Sequence, residues 1–155
     1  MAYDVLAELA KSAANDLGRL LQEAAVSMNS AVLARVAEQG HPDIRPSHVA
    51  VFMGLEDAGT HISVLATRAG ISRQAMGAIV REVEKLGYVT TASDAADRRA
   101  TIVRLTARGV AFCRLAIAIS GEWNAGVEAL LGAEDSARLR EQLRAISQTF
   151  GSPAA

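Results

Sequence analysis

Between Ile62 and Gly109 the recurrence of apolar residues changes twice, and each change marks an element. Leu65, Ala66 and Ala69 form one narrow stripe, which predicts a short helix capped by Ser63 and ended by Gly70. Ser72 then caps a second helix, Arg73 to Leu86, in which Ala75, Met76, Ile79, Val83 and Leu86 fall on one face. Arg73, Gln74, Gly77, Ala78 and Arg81 fall on the other, where long donors alternate with residues of almost no bulk. After Gly87 the period drops to two. Tyr88 to Ser93 reads as a strand, Asp94 to Ala100 as a turn, and Thr101 to Leu105 as the returning strand of a hairpin.

The flanks keep the helical period but are too apolar to stand alone. Tyr3 to about Gln39 carries Leu6, Leu9, Ala13, Leu17, Leu20, Leu21, Ala24 and Met28 on a continuous stripe. Unbroken, that helix is on the order of 50 Å long. Arg108 to Leu131 is apolar on two sides, and Leu139, Leu143, Ile146 and Phe150 form a last stripe behind the acidic first turn Glu134 and Asp135. Stripes at both ends that one small globule cannot cover predict a homodimer, with Leu6, Leu9, Leu139, Leu143 and Ile146 in the interface; a helical cap over a monomer is the alternative. The expected fold is mainly α, in the α+β class: a winged helix-turn-helix with a small hairpin wing and a dimerisation layer of N- and C-terminal helices. Residues 1–155 make one subunit, with 46–106 as the lobe and 1–40 and 107–150 as the dimer layer.

Two helices followed by a hairpin suit a DNA major groove and the minor groove beside it. Arginine pairs with guanine edges and glutamine with adenine, while Ser72 and the helix N-terminus suit a phosphate. At the hairpin tip Asp97 stands two residues before Arg99 and can hold its guanidinium, which leaves Arg98 for phosphate. A solvated helix face and a surface ion pair are the plainer readings of these two features taken singly.

The run SRQAMGAIVREVEKLGYV, the segment DAADRRATIVRLTARG and the upstream HPDIRPSHVAVFMGLEDAGTHISVLATRAGIS together resemble MarR-type winged-helix transcriptional regulators. The resemblance implies that Ser72 to Leu86 enters the major groove and that Arg99, positioned by Asp97, enters the minor groove. It implies a homodimer placing two lobes on an inverted-repeat operator, a repressor's activity, and a small aromatic or anionic effector in a cleft walled by Arg45 to Glu56, with His48 and Phe52 as contacts. The chain departs from the pattern at Ala95, where many relatives have proline, and at Thr90, Thr91 and Ala92, where many are basic.

Charge sharpens this picture. The whole chain carries −1, but residues 68 to 108 hold eight basic against four acidic residues, about +4 locally. DNA affinity follows the face presented rather than the sum. The single cysteine, Cys113, allows no internal disulfide, and its apolar neighbours predict burial rather than a redox role. His41, His48 and His61 show no metal-ligand spacing. No metal, cofactor or catalytic motif is implied, and with no bilayer-length apolar run or signal-like start the expected location is cytoplasmic. The competing expectation from another class is a winged-helix protein-interaction module without specific DNA binding, suggested by the few basic residues in the strand from Val89 to Ser93.

Overall fold

In a computed structural model of the chain, which describes residues 5, 8, 11, 12, 15–94 and 100–150, Asp16 interrupts the long apolar stripe at the start. Its backbone is extended and its carboxylate accepts the Arg19 amide at 2.9 Å, so helix α1 (Leu17–Glu38) begins there rather than running through from Tyr3. The expectation of one unbroken helix is therefore corrected: an aspartate at that point satisfies a free helical amide better than it continues a helix. After α1 come α2 (Pro46–Gly54), β1 (Thr60–His61), α3 (Ile62–Ala69), α4 (Arg73–Lys85), β2 (Val89–Ser93), β3 (Thr101–Leu105), α5 (Ala107–Leu131) and α6 (Ala133–Phe150).

The strands form an antiparallel sheet in the order β1-β3-β2. β2 and β3 pair from Val89 with Leu105 to Ser93 with Thr101, which is the hairpin expected from the alternation. Strand β1 was not expected, because two residues are too few to show a period. Its pairing of Thr60 with Val103 changes the start of the next helix. The chain leaves the sheet at His61, so α3 begins at Ile62, and Ser63 lies inside its first turn rather than at the cap. There the Ser63 carbonyl accepts the Thr67 hydroxyl at 3.1 Å.

The core sits under α4. Met76, Val80 and Val83 are fully or almost fully buried with Val36, Val51, Leu65, Tyr88, Val103 and Phe112. The apolar face of α4 departs from expectation: Ala75 is exposed, and Val80 takes its place inside. Val80 follows Met76 by four residues and precedes Val83 by three, so it continues the true face, whereas Ala75 lies on its edge. The helices α1 and α5 pack against each other beside the lobe, and α6 folds back along α5.

That outer layer leaves apolar side chains in the open. On α5, Ile117 is 72% and Leu130 is 82% exposed, and Leu17, Leu20 and Val26 on α1 are also exposed. Leu139 is exposed and Leu143 and Ile146 are half-buried, while Leu6 and Leu9 lie outside the described residues. Among the described residues no helix is long and apolar enough to cross a membrane.

Candidate nucleic-acid interface

The turn into α4 is built from Gly70 and Ser72. Gly70 adopts the left-handed conformation at φ 65°, and the Ile71 amide then reaches back to the Ala66 carbonyl at 3.1 Å. This ends α3 within one residue. Ser72 has extended backbone, and its hydroxyl accepts the Ala75 amide at 3.1 Å. The remaining amides of the first turn point outward beside Arg73 and Gln74.

Arg73, Gln74 and Arg81 are exposed and make no hydrogen bond or ion pair among the described residues. Three donors on one face of a capped helix are thus uncommitted. Gly77, expected on that face as a residue of almost no bulk, is buried there. A β-carbon built on it would meet only the Arg81 guanidinium, at 3.5 Å, so the arginine lies across the Gly77 backbone. The glycine's place is beneath the donor, where a β-carbon would rest in ordinary van der Waals contact with Arg81.

Local charge proves a poorer guide than single side chains. Arg68 donates to the Gly54 carbonyl at 2.6 Å and pairs with Glu56, and Arg104 donates to the Ala58 carbonyl at 3.1 Å. Arg108 donates to the Leu86 carbonyl at 2.8 Å and pairs with Asp43 at 3.0 Å. These three cations join elements of the lobe. Part of the expected +4 excess therefore holds the fold together instead of facing outward.

The hairpin is braced against α4. The Thr91 amide and hydroxyl both donate to Glu84 at 2.7 Å, and the Asp94 amide closes the base of the turn on the Ala100 carbonyl at 2.9 Å. His61 Nε2 donates to the Asp94 carboxylate at 2.7 Å, which ties β1 to the same point. Thr91, one of the positions at which the strand is less basic than the family pattern, thus has a bracing role. Asp97, Arg98 and Arg99 lie outside the described residues.

Behind the helix is a junction that sequence reasoning missed. Tyr88 is fully buried, and its hydroxyl donates to Asp43 at 2.6 Å while meeting His41 Nδ1 at 2.9 Å and Arg108 at 3.1 Å. The Arg108 guanidinium also lies over the Tyr88 ring, 4.4 Å from its centre. Burial, with the Asp43 carboxylate adding to it, pushes the Tyr88 hydroxyl up to about 12. Burial works against the Asp43 charge, but the hydrogen bonds and the Arg108 charge outweigh it and hold the carboxyl below its ordinary 3.8. Its partners lie 45 and 65 residues away in the chain, so no local spacing announces them.

A depressed carboxyl stabilises the fold fully above its unfolded value and loses that contribution as pH falls through the folded one. Acid titration should therefore leave the Asp43 contribution intact above about pH 5 and erode it below 3.8. Asp43→Asn is expected to cost about 2 kcal/mol at neutral pH and to flatten part of the acid limb. Urea unfolding across that range measures both; an unchanged acid limb would show that Asp43 does not carry it.

His48 is committed within the lobe. It is fully buried, its Nδ1 accepts the Arg45 amide at 3.2 Å, and its Nε2 meets Glu82 at 3.2 Å. The His48 hydrogen bond first and the Arg45 charge second hold the Glu82 carboxyl below 4.5. Both ring nitrogens are thus used in joining α2 to α4, and His48, expected as an effector contact, is not among the described residues that line the cavity below. Phe52, by contrast, does line a cavity of about 830 Å³ between α1, α2 and α5. Cys113 is on its wall, half-buried, and burial pushes the thiol above its ordinary 9.0, which disfavours the reactive thiolate. Among the described residues no group of three or more histidine, cysteine, aspartate or glutamate side chains could hold a metal ion.

Residues 42–100 match the MarR family model, a span that contains α2 to β2 and the start of the wing. No curated protein sequence matches the chain. Among solved structures, the transcriptional regulator SlyA is 15% identical, with a TM-score of 0.74 over 88% of this chain and 94% of its own. The repressor CouR, solved on a 23-mer DNA duplex, is 24% identical, with a TM-score of 0.67 over 86% of this chain and 94% of its own. BpsR of Bordetella bronchiseptica, whose structure concerns regulation of its DNA binding by 6-hydroxynicotinic acid, is 17% identical, with a TM-score of 0.67 over 86% and 94%. At these identities the likeness establishes the fold.

Proposed function

From the match of residues 42–100 to the MarR family model, in a chain that shares the fold of solved MarR-type regulators, we propose that the protein is a sequence-specific, double-stranded DNA-binding repressor that acts as a homodimer. The observation that carries this reading is the face of α4, where Arg73, Gln74 and Arg81 are exposed and unpaired among the described residues, on a helix capped by Ser72. Arg73 and Gln74 read base edges, Ser72 and the first-turn amides take a phosphate, and Arg81 follows the groove. The wing residues Asp97, Arg98 and Arg99 serve the adjacent minor groove.

The open apolar faces of α1, α5 and α6 support the dimer, since a patch of that kind on a small chain marks a contact surface. A twofold pair of lobes reads an inverted repeat with half-site centres roughly 34 Å apart. The cavity between α1, α2 and α5 is the effector site, because a molecule there touches both the outer layer and the lobe. CouR's complex with DNA and the regulation of BpsR by a small aromatic acid support the two halves of this proposal by analogy of fold.

Selection of bound duplexes from a random pool, followed by a salt titration on the best of them, tests the function. An inverted repeat with strongly salt-dependent binding is expected. Weak, salt-insensitive binding to every duplex would favour the protein-interaction module instead, and recovery of a single half-site would overturn the dimer.

A further inference from the structure

The effector expected from family resemblance is aromatic or anionic, but the cavity's own lining favours one kind of molecule. None of the described residues lining it is charged. Val36, Phe52 and Phe112 form an apolar part of the wall, and of these Val36 and Phe112 are almost wholly buried. The hydrogen-bonding residues Asn29, Ser120 and Asn124 are exposed ones, so the polar part of the lining is on the solvent side. There the Asn124 amide donates to the Ser120 carbonyl at 2.9 Å. Arg35 on α1 does not line the cavity and is already paired with Glu122 on α5.

We propose that this cavity takes an uncharged, largely apolar small molecule, with a hydroxyl, carbonyl or amide at its outer end, in preference to a carboxylate. The proposal rests on the reading of the cavity as an effector site. An ionised carboxylate would give up its water for a wall whose described residues offer no cation, which is unfavourable unless the charge is paired. A neutral ring gains from the same wall, and one neutral polar group is met by the asparagines at the rim.

The position of the wall also says how occupancy is felt at the DNA face. The Phe52 and Phe112 rings are 4.5 Å apart, and they meet the Tyr88 ring at 6.1 and 5.6 Å. Tyr88 in turn bonds Arg108, which holds the Leu86 carbonyl at the end of α4. A molecule that parts the two phenylalanines therefore presses on the clamp of the recognition helix. It favours whichever lobe position binds it better.

The test compares 2-naphthamide with 2-naphthoate, which share a bicyclic ring and differ in charge at neutral pH, against the full-length chain by titration calorimetry. The amide is expected to bind about tenfold or more tighter and to slow labelling of Cys113, the one cysteine, by N-ethylmaleimide. Ala116→Phe, which fills the cavity, should abolish amide binding; the labelling arm on the unaltered chain stands whether or not that variant folds. Equal or tighter binding of the carboxylate, no binding of either compound, or amide binding that leaves Cys113 labelling unchanged would each overturn the proposal. An amide that binds and protects Cys113 while operator affinity stays constant upholds the ligand class and sinks the effector reading.

Discussion

Replacing Arg73 and Gln74 together by alanine is expected to lower operator affinity a hundredfold or more while leaving the unfolding midpoint unchanged. Each bidentate base contact is worth roughly 1 to 3 kcal/mol of discrimination, and the two side chains act on different bases. Neither residue has a partner among the described residues to lose, so the fold should not feel their removal. Fluorescence anisotropy on the selected duplex and on a scrambled one separates the outcomes. The preferred duplex should lose far more than the scrambled one, because the phosphate contacts remain. Equal loss on both duplexes would reassign the face to backbone binding, and no loss on either would remove α4 from the DNA.

The second large effect lies where α5 meets the residues that follow α4. Gly109, in the first turn of α5, faces the Tyr88 backbone so closely that an added β-carbon would stand 2.1 Å from the Tyr88 carbonyl oxygen and 3.0 Å from Leu105. The obstruction is main chain, which cannot swing aside as a long side chain can. Gly109→Ala must therefore lift α5 away from the junction, loosening the Thr106 amide bond to Tyr88 at 3.0 Å and the Arg108 bond to Leu86. The expected cost is about 3 kcal/mol, at the upper end for overpacking. Chemical denaturation measures it. A stability within experimental scatter of the unaltered chain would mean that α5 and the lobe are not rigidly joined.

The local part of this structure was legible because local chemistry sets it. Gly70, Ser72 and Gly87 punctuate the chain where the backbone turns, and the alternation of Thr101 to Leu105 shows a strand with one face inside. What escaped depends on the third dimension. Strand β1 is too short to have a pattern, and by delivering the chain at Ile62 it displaces the cap expected at Ser63. Asp16 sits within an apolar stripe whose period alone gives no sign that it would start a helix.

The candidate site divides in the same way. Arg73, Gln74 and Arg81 could be placed on one face by counting along a helix, but whether Gly77 lay on that face or beneath it depended on where Arg81 would fold. The net charge of the segment hid the difference between Arg73, which is uncommitted, and Arg108, which holds four groups of the junction in reach. Tyr88, Asp43 and His41 meet only after the chain has closed on itself.

Glu84 accepts both the amide and the hydroxyl of Thr91, so α4 and β2 are tied to each other at the base of the hairpin. For an operator this becomes a rule of grammar. If α4 and the wing read one half-site as proposed, this tie holds the spacing between the bases that each meets, so a base pair inserted there should break the word. In the proposed dimer only the coupling of two protomers would set the distance between half-sites, so a base pair inserted at the centre should cost less.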